Sequence, residues 1–338
     1  MRIAVIGIGS IGMVIAARAA QAGCTLELID ASVANVEALN RNGATLCGNL
    51  HLNAPVKAYT PDEMSGKYDL VICTTKQTAN HAVLTNLLSY LHEDSVVCTL
   101  QNGLPEDSVA SYVGSERTVG GVVGFGATWL EPGVTAYTST VEVLEKYAFE
   151  IGAVGECAKR HLPAVKQVLS AVGGTSVIDN LADVRWTKLL MNATFSGMST
   201  VMRDTMLHVL RNPEAMDIIA RLADETVKVC HALGHKMVFM QGIDMDLLEL
   251  LDGETVADKM ELYNTVWSKH DIKASMLQDI EKGLRTEVDY INGVVCKCGR
   301  ETGVPTPFND KVCEIIKLYE NGSTQTAGES LRQLRELL

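Results

Sequence analysis

The chain has 338 residues, of which 47% are hydrophobic and 21% charged, so it is long enough for two hydrophobic cores and too long for one of average size. Its formal net charge of -12 would repel a phosphate backbone, and no run of Lys and Arg offsets that charge locally, which argues against a nucleic-acid partner. The apolar first residues are broken by glycines and followed by Arg18, so they predict neither a signal peptide nor a membrane span, and we expect a cytoplasmic protein.

The first half of the chain alternates short apolar runs with helical stretches. The predicted strands are RIAVIG, TLELID, YDLVICTT and SVVCTL. Because they are almost wholly apolar and their connections are helical, the sheet is predicted to be parallel, covered on both faces and doubly wound, an α/β Rossmann-like arrangement. β-Formers and glycines over 118–156 predict strands that extend this sheet, and a helix over 158–172 with a strand near Thr175 completes a dinucleotide-binding domain of residues 1–179.

From Asn180 onward the pattern changes to a period of 3.6 residues with almost no strand signal. Residues 180–338 are therefore predicted to form an all-helical domain. Between Asp244 and Glu261 there are seven acids and a single base, Lys259, which is typical of a solvated helical face.

The histidines and cysteines give two weak metal patterns. His231 and His235 are four residues apart, but Gly234 between them is typical of a helix end, so the pair is not expected to share one helical face. Cys296 and Cys298 would point to different faces of a helix. No metal site is predicted, and the nine cysteines, which form no CxxC pair, are expected to be reduced thiols.

A glycine-rich motif follows the first strand and opens the first helix. It fits GxGxxG and consists of Gly7, Ile8, Gly9, Ser10, Ile11 and Gly12. The glycines would allow a tight turn, a close approach of pyrophosphate to the backbone, and close packing of helix on strand. Asp30 ends the second strand, where a carboxylate accepts hydrogen bonds from a ribose 2′-hydroxyl and repels a 2′-phosphate, so it favours NADH.

Two later strand ends are predicted to meet this motif, because ligands of doubly wound sheets bind at the carboxyl ends of the strands. Lys76 follows YDLVICTT, and Asn102 follows SVVCTL. The residues alone leave two interpretations open for each. Lys76 is a cofactor contact or a solvated surface lysine, and Asn102 is a cofactor contact or part of a turn with Gly103.

A polar stripe is predicted on a helix that starts at Trp186. Lys188, Asn192 and Ser196 are spaced i, i+4 and i+8, so they drift by only about 40° per step around an α-helix. Such a stripe faces either water or a wet cavity, and the periodicity favours neither.

Further along, Ser275 and Gln278 form an S-x-x-Q pattern that predicts a helix start with a capping box. Glu287 lies 12 residues after Ser275, about 18 Å along a straight helix. A simple helix cap at Ser275 and an exposed ion pair between Glu287 and Arg285 are the alternatives to a role at a site.

These motifs together resemble the ketopantoate reductase (2-dehydropantoate 2-reductase) family. They occur in the family's order: GxGxxG, TTK, QNG, W-x-K-x-x-x-N, and the block from SMLQDI to TEVDYING. The resemblance implies a Rossmann-like domain followed by a helical domain like the C-terminal domain of 6-phosphogluconate dehydrogenases. It also implies an NAD(P)H-dependent reductase, with a homodimer as a family expectation.

The resemblance implies a role for each matching residue. Lys188 would be the general acid that protonates the ketone oxygen, and Glu287 would orient that lysine or the substrate. The residues that would bind substrate are Asn192, Ser196 and Ser275, and those that would contact the cofactor beyond the glycine motif are Lys76 and Asn102.

This chain departs from the family pattern in three places. The family norm is NADPH, read by a basic residue where this chain has Asp30, although Lys76 keeps NADP(H) open. A second Asn is common where this chain has Ser196. The segment between Lys188 and Ser275 is longer than usual, and we assign it no role.

Three functions are therefore open. The first is reduction of 2-dehydropantoate to (R)-pantoate, a step toward pantothenate and coenzyme A. The second, favoured by Asp30 and Ser196, is an NAD-dependent D-2-hydroxyacid dehydrogenase that acts on another branched or aromatic 2-keto acid. The third is a non-catalytic dinucleotide sensor. It needs the glycine loop but no acid, so it does not account for the presence together of Lys188, Asn192, Ser275 and Glu287.

Overall fold

A computed structural model of the chain describes residues 1–267 and 271–338. These residues divide into two compact units, Met1–Leu181 and Ala182–Leu338. Across the described ranges, no helix combines the length and the apolar character needed to cross a bilayer.

The first unit is a mixed α/β domain. Its strands are β1 (Ile3–Ile6), β2 (Glu27–Ile29), β3 (Ala44–Gly48), β4 (Leu52–Ala54), β5 (Lys57–Tyr59), β6 (Tyr68–Cys73), β7 (Leu91–Thr99), β8 (Thr118–Val123), β9 (Ala127–Glu131), β10 (Val134–Tyr137), β11 (Phe149–Ala153) and β12 (Thr175–Val177). Its helices are α1 (Ser10–Gln21), α2 (Val33–Asn42), α3 (Asn80–Leu87), α4 (Glu106–Val113), α5 (Val141–Tyr147) and α6 (Leu162–Ser170).

Eight of these strands form one sheet, in the order β12-β11-β8-β7-β6-β1-β2-β5. Every pair in it is parallel except β8 with β11. The central strand β1 is buried on both faces, because Ile3 and Val5 pack into one core cluster while Ala4 and Ile6 pack into another. The chain moves from β1 to β2 on one side and returns to β6 on the other, so the sheet is the doubly wound, Rossmann-like sheet predicted, with its switch point beside β1.

The prediction that all strands over 118–156 extend this sheet is wrong for two of them. β8 and β11 join it, but β9 and β10 form a separate four-stranded sheet in the order β4-β3-β10-β9. This second sheet packs against α1. Alternation and glycine content identify a strand, but they do not identify its partner.

The second unit is helical. Its helices are α7 (Leu181–Met191), α8 (Gly197–Met202), α9 (Met206–Leu210), α10 (Pro213–Ala232), α11 (Val256–Trp267), α12 (Ser275–Glu281), α13 (Asn292–Thr302), α14 (Pro307–Glu320) and α15 (Ala327–Arg335). A two-stranded hairpin, β13 (Phe239–Met240) and β14 (Ile243–Asp244), is an exception to the all-helical prediction. The expected solvated face near this hairpin has an exception too, since the side chain of Lys259 is buried and pairs with Glu254 at 2.7 Å.

Candidate functional site

The glycine motif forms the turn between β1 and α1, and its three glycines meet different surroundings. Gly7 has φ +90°, and a Cβ there would lie 2.7 Å from the backbone nitrogen of Thr75. A Cβ on Gly12 would collide with the Gly7 carbonyl oxygen. A Cβ on Gly9 would meet no protein atom within 4 Å, so packing in the protein does not require glycine there. Open space at Gly9, beside the N-terminus of α1, fits a pyrophosphate group close to the backbone.

Asp30 is hydrogen-bonded to the glycine turn itself. Its Oδ2 accepts from the Ile8 backbone N–H at 2.7 Å, and its Oδ1 accepts from the Ser32 N–H at 2.8 Å. These bonds fix the orientation of the carboxylate at the end of β2. Since an ionised carboxylate has about four lone-pair sites, it can still accept ribose hydroxyls. Of the remaining motif members, Ile8 is fully buried and Ile11 packs against the core.

The ends of β1, β6 and β7 lie together as the strand order predicted. The Thr74 hydroxyl, after β6, donates to the Gly7 carbonyl at 2.6 Å. The Gln77 side chain donates to the Asn102 carbonyl at 2.5 Å, which joins the loop after β6 to the loop after β7. Lys76 lies between these anchors and is half-buried.

Asn102 is also half-buried, and the next residue, Gly103, has φ +77°. The turn that was the alternative interpretation of Asn102 is therefore present.

Sequence reasoning missed three residues that hold this site together, namely Gln101, Trp129 and Asn35. Gln101 is buried, and its Nε2 donates to the Thr75 carbonyl at 2.9 Å. The Ser10 hydroxyl accepts from the Trp129 N–H at 2.8 Å, which ties the second sheet to the glycine turn. Asn35 makes a similar link, because it donates to the Ile8 carbonyl and accepts from the backbone of the hairpin between β9 and β10. The position of Gln101 within the LQNG motif could have identified it, whereas no sequence pattern marked Trp129 or Asn35.

In the second unit, Lys188 lies on α7, which begins at Leu181 and not at Trp186 as predicted. Lys188 is half-buried between fully buried neighbours. After Met191 the helix widens into a π turn over Asn192–Ser196 before α8 begins. π Turns are rare and often occur at functional sites.

The residues of the predicted polar stripe differ in burial. Asn192 is half-buried like Lys188, but Ser196 is only 4% exposed. The bonds of a π turn span five residues where those of an α-helix span four, so each residue of the turn rotates the chain less about the axis. This smaller rotation reduces the α-helical drift of about 40° per four residues, and what sets Ser196 apart from Lys188 and Asn192 is its burial.

The block that contains Ser275 and Glu287 is not one straight helix. α12 begins at Ser275, as predicted, but its N-cap is Ala274 and the expected capping box does not form. Gln278 instead donates to the Lys273 carbonyl at 3.1 Å. The Ser275 side chain is exposed and takes no part in capping.

Glu287 follows the end of α12 and is only 9% exposed. The residue before it, Thr286, donates from both its backbone and its hydroxyl to Glu320 at 2.6 Å, which fixes the backbone beside Glu287. Arg285, the alternative partner named for Glu287, pairs with Asp289 at 3.4 Å. The π turn contacts α12, so this block and the helix of Lys188 are neighbours.

The weak metal patterns lie in ordinary structural surroundings. α10 ends at Ala232, before His235 is reached, and His231 pairs with Asp246 at 2.9 Å. Burial, together with the nearby acids, raises the pKa of Cys230 to about 12, which keeps this thiol protonated. Within the described ranges, no group of three or more His, Cys, Asp or Glu residues could hold a metal ion.

Two sequence models of one family match the chain. The model described as ketopantoate reductase PanE/ApbA matches residues 3–147, and that described as its C-terminal part matches residues 180–320. The chain belongs to the ketopantoate reductase family. Both matches follow the order of the motifs discussed above, and they include the glycine turn and Lys188.

Curated relatives within the ketopantoate reductase family align along nearly their whole length. A 2-dehydropantoate 2-reductase of Pyrococcus horikoshii is 28% identical over 95% of this chain and 98% of its own length. One of Pyrococcus abyssi is 29% identical, over 94% and 97%.

Solved structures confirm the fold. D-mandelate dehydrogenase with NADH and anilino(oxo)acetate superposes with a TM-score of 0.81 at 23% identity, over 95% of this chain and 99% of that one. A ketopantoate reductase of this family from Ralstonia eutropha gives 0.78 at 21% identity, with the same coverage.

Proposed function

We propose that the chain reduces 2-dehydropantoate to (R)-pantoate with NAD(P)H, a step toward pantothenate and coenzyme A. The observation that carries the proposal is the family match across both units, which includes both the glycine turn and the helix of Lys188. The named relatives align end to end and therefore support the same reaction.

In this proposal, residues 1–179 bind the dinucleotide and residues 180–338 supply the catalytic groups. The glycine turn holds the pyrophosphate, Asp30 the ribose, and Lys76 and Asn102 the rest of the cofactor. A bound reduced nicotinamide supplies a hydride to the keto carbon. The open space at Gly9 and the two backbone bonds that orient Asp30 support this assignment.

The negative charge that develops on the ketone oxygen needs both a counter-charge and a proton. We assign both roles to the Lys188 ammonium, which acts as general acid. Glu287 orients Lys188 or the substrate, and Asn192, Ser196 and Ser275 hold the polar groups of the substrate. Because Ser196 is only 4% exposed, we assign it the smallest share in substrate binding of the three.

We further propose that NADH is preferred, because the Asp30 carboxylate would repel a 2′-phosphate. This same residue favours the second candidate, an NAD-dependent D-2-hydroxyacid dehydrogenase for another branched or aromatic 2-keto acid. A cytoplasmic location is supported by the nine cysteines, none of which forms a disulfide in the described part of the chain. A homodimer is proposed from the family alone.

Steady-state oxidation of NADH and of NADPH, each with 2-dehydropantoate and with a panel of branched and aromatic 2-keto acids, tests the proposal. The highest kcat/KM is expected with 2-dehydropantoate. A higher value with another acid would favour the second candidate. Binding of dinucleotide without turnover of any acid would favour the third function, a non-catalytic dinucleotide sensor.

A further inference from the structure

The carbonyl of Ala193, inside the π turn, is bonded by a side chain from another helix. In an uninterrupted α-helix this carbonyl would accept from the Gly197 N–H, four residues on. Here the Gly197 N–H donates instead to the carbonyls of Asn192 and Thr194. The Ala193 carbonyl accepts from Nδ2 of Asn292, at 2.9 Å. Asn292 thus supplies the hydrogen bond that the change from α to π geometry removes.

Asn292 is itself oriented by a chain of buried polar groups. Its Nδ2 also donates to Oδ1 of Asn309 at 2.9 Å, and Nδ2 of Asn309 donates to Oε2 of Glu225 at 2.7 Å. Because the nitrogen of the Asn309 amide donates to Glu225, its oxygen is the atom that faces Asn292. Asn292 must then present its nitrogen to both neighbours.

The fit around Asn292 leaves little freedom for another arrangement. The residue is fully buried, and a Cβ on Gly197 would lie 3.1 Å from its Oδ1, so the amide packs directly on that glycine. Its Oδ1 is buried and has no hydrogen-bond partner within the described ranges. Burying an unsatisfied oxygen is unfavourable, which indicates that the two Nδ2 bonds are what this position requires.

We propose that Asn292 is a positioning residue. By holding the Ala193 carbonyl it stabilises the π turn, and so keeps Asn192 on the half-buried side of the helix that Lys188 also occupies. Asn309 and Glu225 act through Asn292. The inference rests on the proposed function of Lys188 and Asn192, and it extends the site to residues that touch neither substrate nor cofactor.

The variant Asn292→Asp tests the bond with almost no change of shape. Its carboxylate would face two acceptors, the Ala193 carbonyl and Oδ1 of Asn309. We expect kcat to fall between about 10-fold and 100-fold, as for other small misplacements of catalytic groups, while dinucleotide affinity stays unchanged. A protonated aspartic acid can donate again, so the kcat deficit should shrink as pH is lowered. A purely structural role predicts no such pH dependence.

Leu248→Ala is the matched control, because it removes a fully buried side chain of the same unit outside this hydrogen-bonded chain. It should lower Tm without lowering kcat at temperatures below the transition. If Asn292→Asp does not fold, Asn292→Ala is used in its place. This variant should show the loss of kcat without the pH dependence. The proposal is overturned if Asn292 variants with the same loss of Tm as Leu248→Ala keep wild-type kcat.

Hydrogen exchange separates this inference from the proposed reaction. Amides of the segment 192–202 should exchange faster in Asn292→Asp than in the wild type, and should be unaffected in Leu248→Ala. This result would support the positioning role whatever the substrate is, whereas unchanged exchange in Asn292→Asp would refute it. If the reaction assignment is wrong, 2-dehydropantoate is not the preferred substrate, and the exchange result still stands.

Discussion

Asp30 is bound to the fold at the position where we propose that it also binds the cofactor. Its two oxygens accept backbone bonds from the glycine turn and from the start of the segment that leads into α2. The carboxylate is thus held before any ligand arrives, which lowers the entropy cost of recognising a ribose. The same rigidity makes a 2′-phosphate costly, since it cannot be avoided by rotation of the side chain.

Asp30→Arg should therefore shift preference toward NADPH. The change replaces a repulsive charge with one that pairs with phosphate, and we expect the ratio of kcat/KM for NADPH to that for NADH to rise at least about 10-fold. Glu37→Arg is the control, because it makes the same change of net charge at an exposed position on α2. If both variants change the ratio equally, then the overall electrostatic field of the protein, and not Asp30, determines the preference between NADPH and NADH.

Lys188 is the residue on which the proposed chemistry depends. Lys188→Ala should lower kcat by at least about 100-fold and leave the dissociation constant for the dinucleotide unchanged. Lys188→Arg keeps the positive charge but cannot release a proton readily, so it should recover little of the rate. Stopped-flow hydride transfer and dinucleotide titration measure the two effects.

Lys236→Ala is the control for Lys188, since it removes an exposed lysine of the same unit. A wild-type rate for Lys188→Ala would exclude this lysine from the mechanism.

At the scale of elements, the glycines of the turn Gly7–Gly12 differ in what requires them. Packing of the fold requires some of them, whereas we assign another to ligand binding. Gly9 has open space on its Cβ side, whereas Gly12 packs against the carbonyl of Gly7. Gly9→Ala should leave Tm within about 1–2 °C of wild type and weaken dinucleotide binding, since the added methyl occupies the space for pyrophosphate. Gly12→Ala should lower Tm substantially, because helix and strand must move apart.

Thermal unfolding and dinucleotide titration of both variants check this contrast. The assignment of Gly9 to the ligand fails if Gly9→Ala binds the dinucleotide as tightly as the wild type.

Much of the fold could be predicted from the sequence because it depends on local patterns. Apolar runs beside helical segments identified the central strands, and GxGxxG identified the turn between β1 and α1. Partners distant along the chain could not be predicted in this way. β9 and β10 pair in a second sheet, and their link to the turn through Trp129 joins residues 119 positions apart.

The π turn shows why the helix of Lys188 was harder to predict. Its sequence, NATFS, has no glycine or proline to mark an irregularity, so regular α-helical spacing was expected there. The turn is accompanied by Asn292, a residue 99 positions away. Only the packed unit contains that information.

At the scale of the whole molecule, the two units concentrate different kinds of buried group. The first unit has a parallel sheet between two apolar clusters. The second buries a carboxyl group, that of Glu225, which is 6% exposed and accepts bonds from the backbone of Phe308 and Asn309. Burial nevertheless dominates, and it raises the pKa of Glu225 to about 7.

This shift makes the stability of the chain depend on pH in a defined direction. Between the ordinary value of 4.5 and about 7, the folded chain binds more protons at Glu225 than the unfolded chain does. The contribution of Glu225 is therefore fully present below pH 4.5 and is lost as pH rises through about 7. A shift of this size corresponds to a change on the order of 3 kcal/mol in the free energy of unfolding.

Glu225→Gln removes the titration while keeping the size of the side chain. The amide nitrogen of the glutamine must face an N–H donor, so the variant should be less stable at every pH. The quantity to compare between the two proteins is therefore the change of the free energy of unfolding with pH. Urea unfolding from pH 5 to 8 should give a difference between wild type and variant that narrows as pH rises and is constant above about 7. Carboxyl groups whose pKa is lowered in the folded chain, such as Glu27, reduce stability as pH falls. Both proteins contain them, so their effect cancels in the difference. Parallel curves across the whole range would mean that Glu225 stays ionised in the folded chain, held by its three backbone and amide donors against the cost of burial.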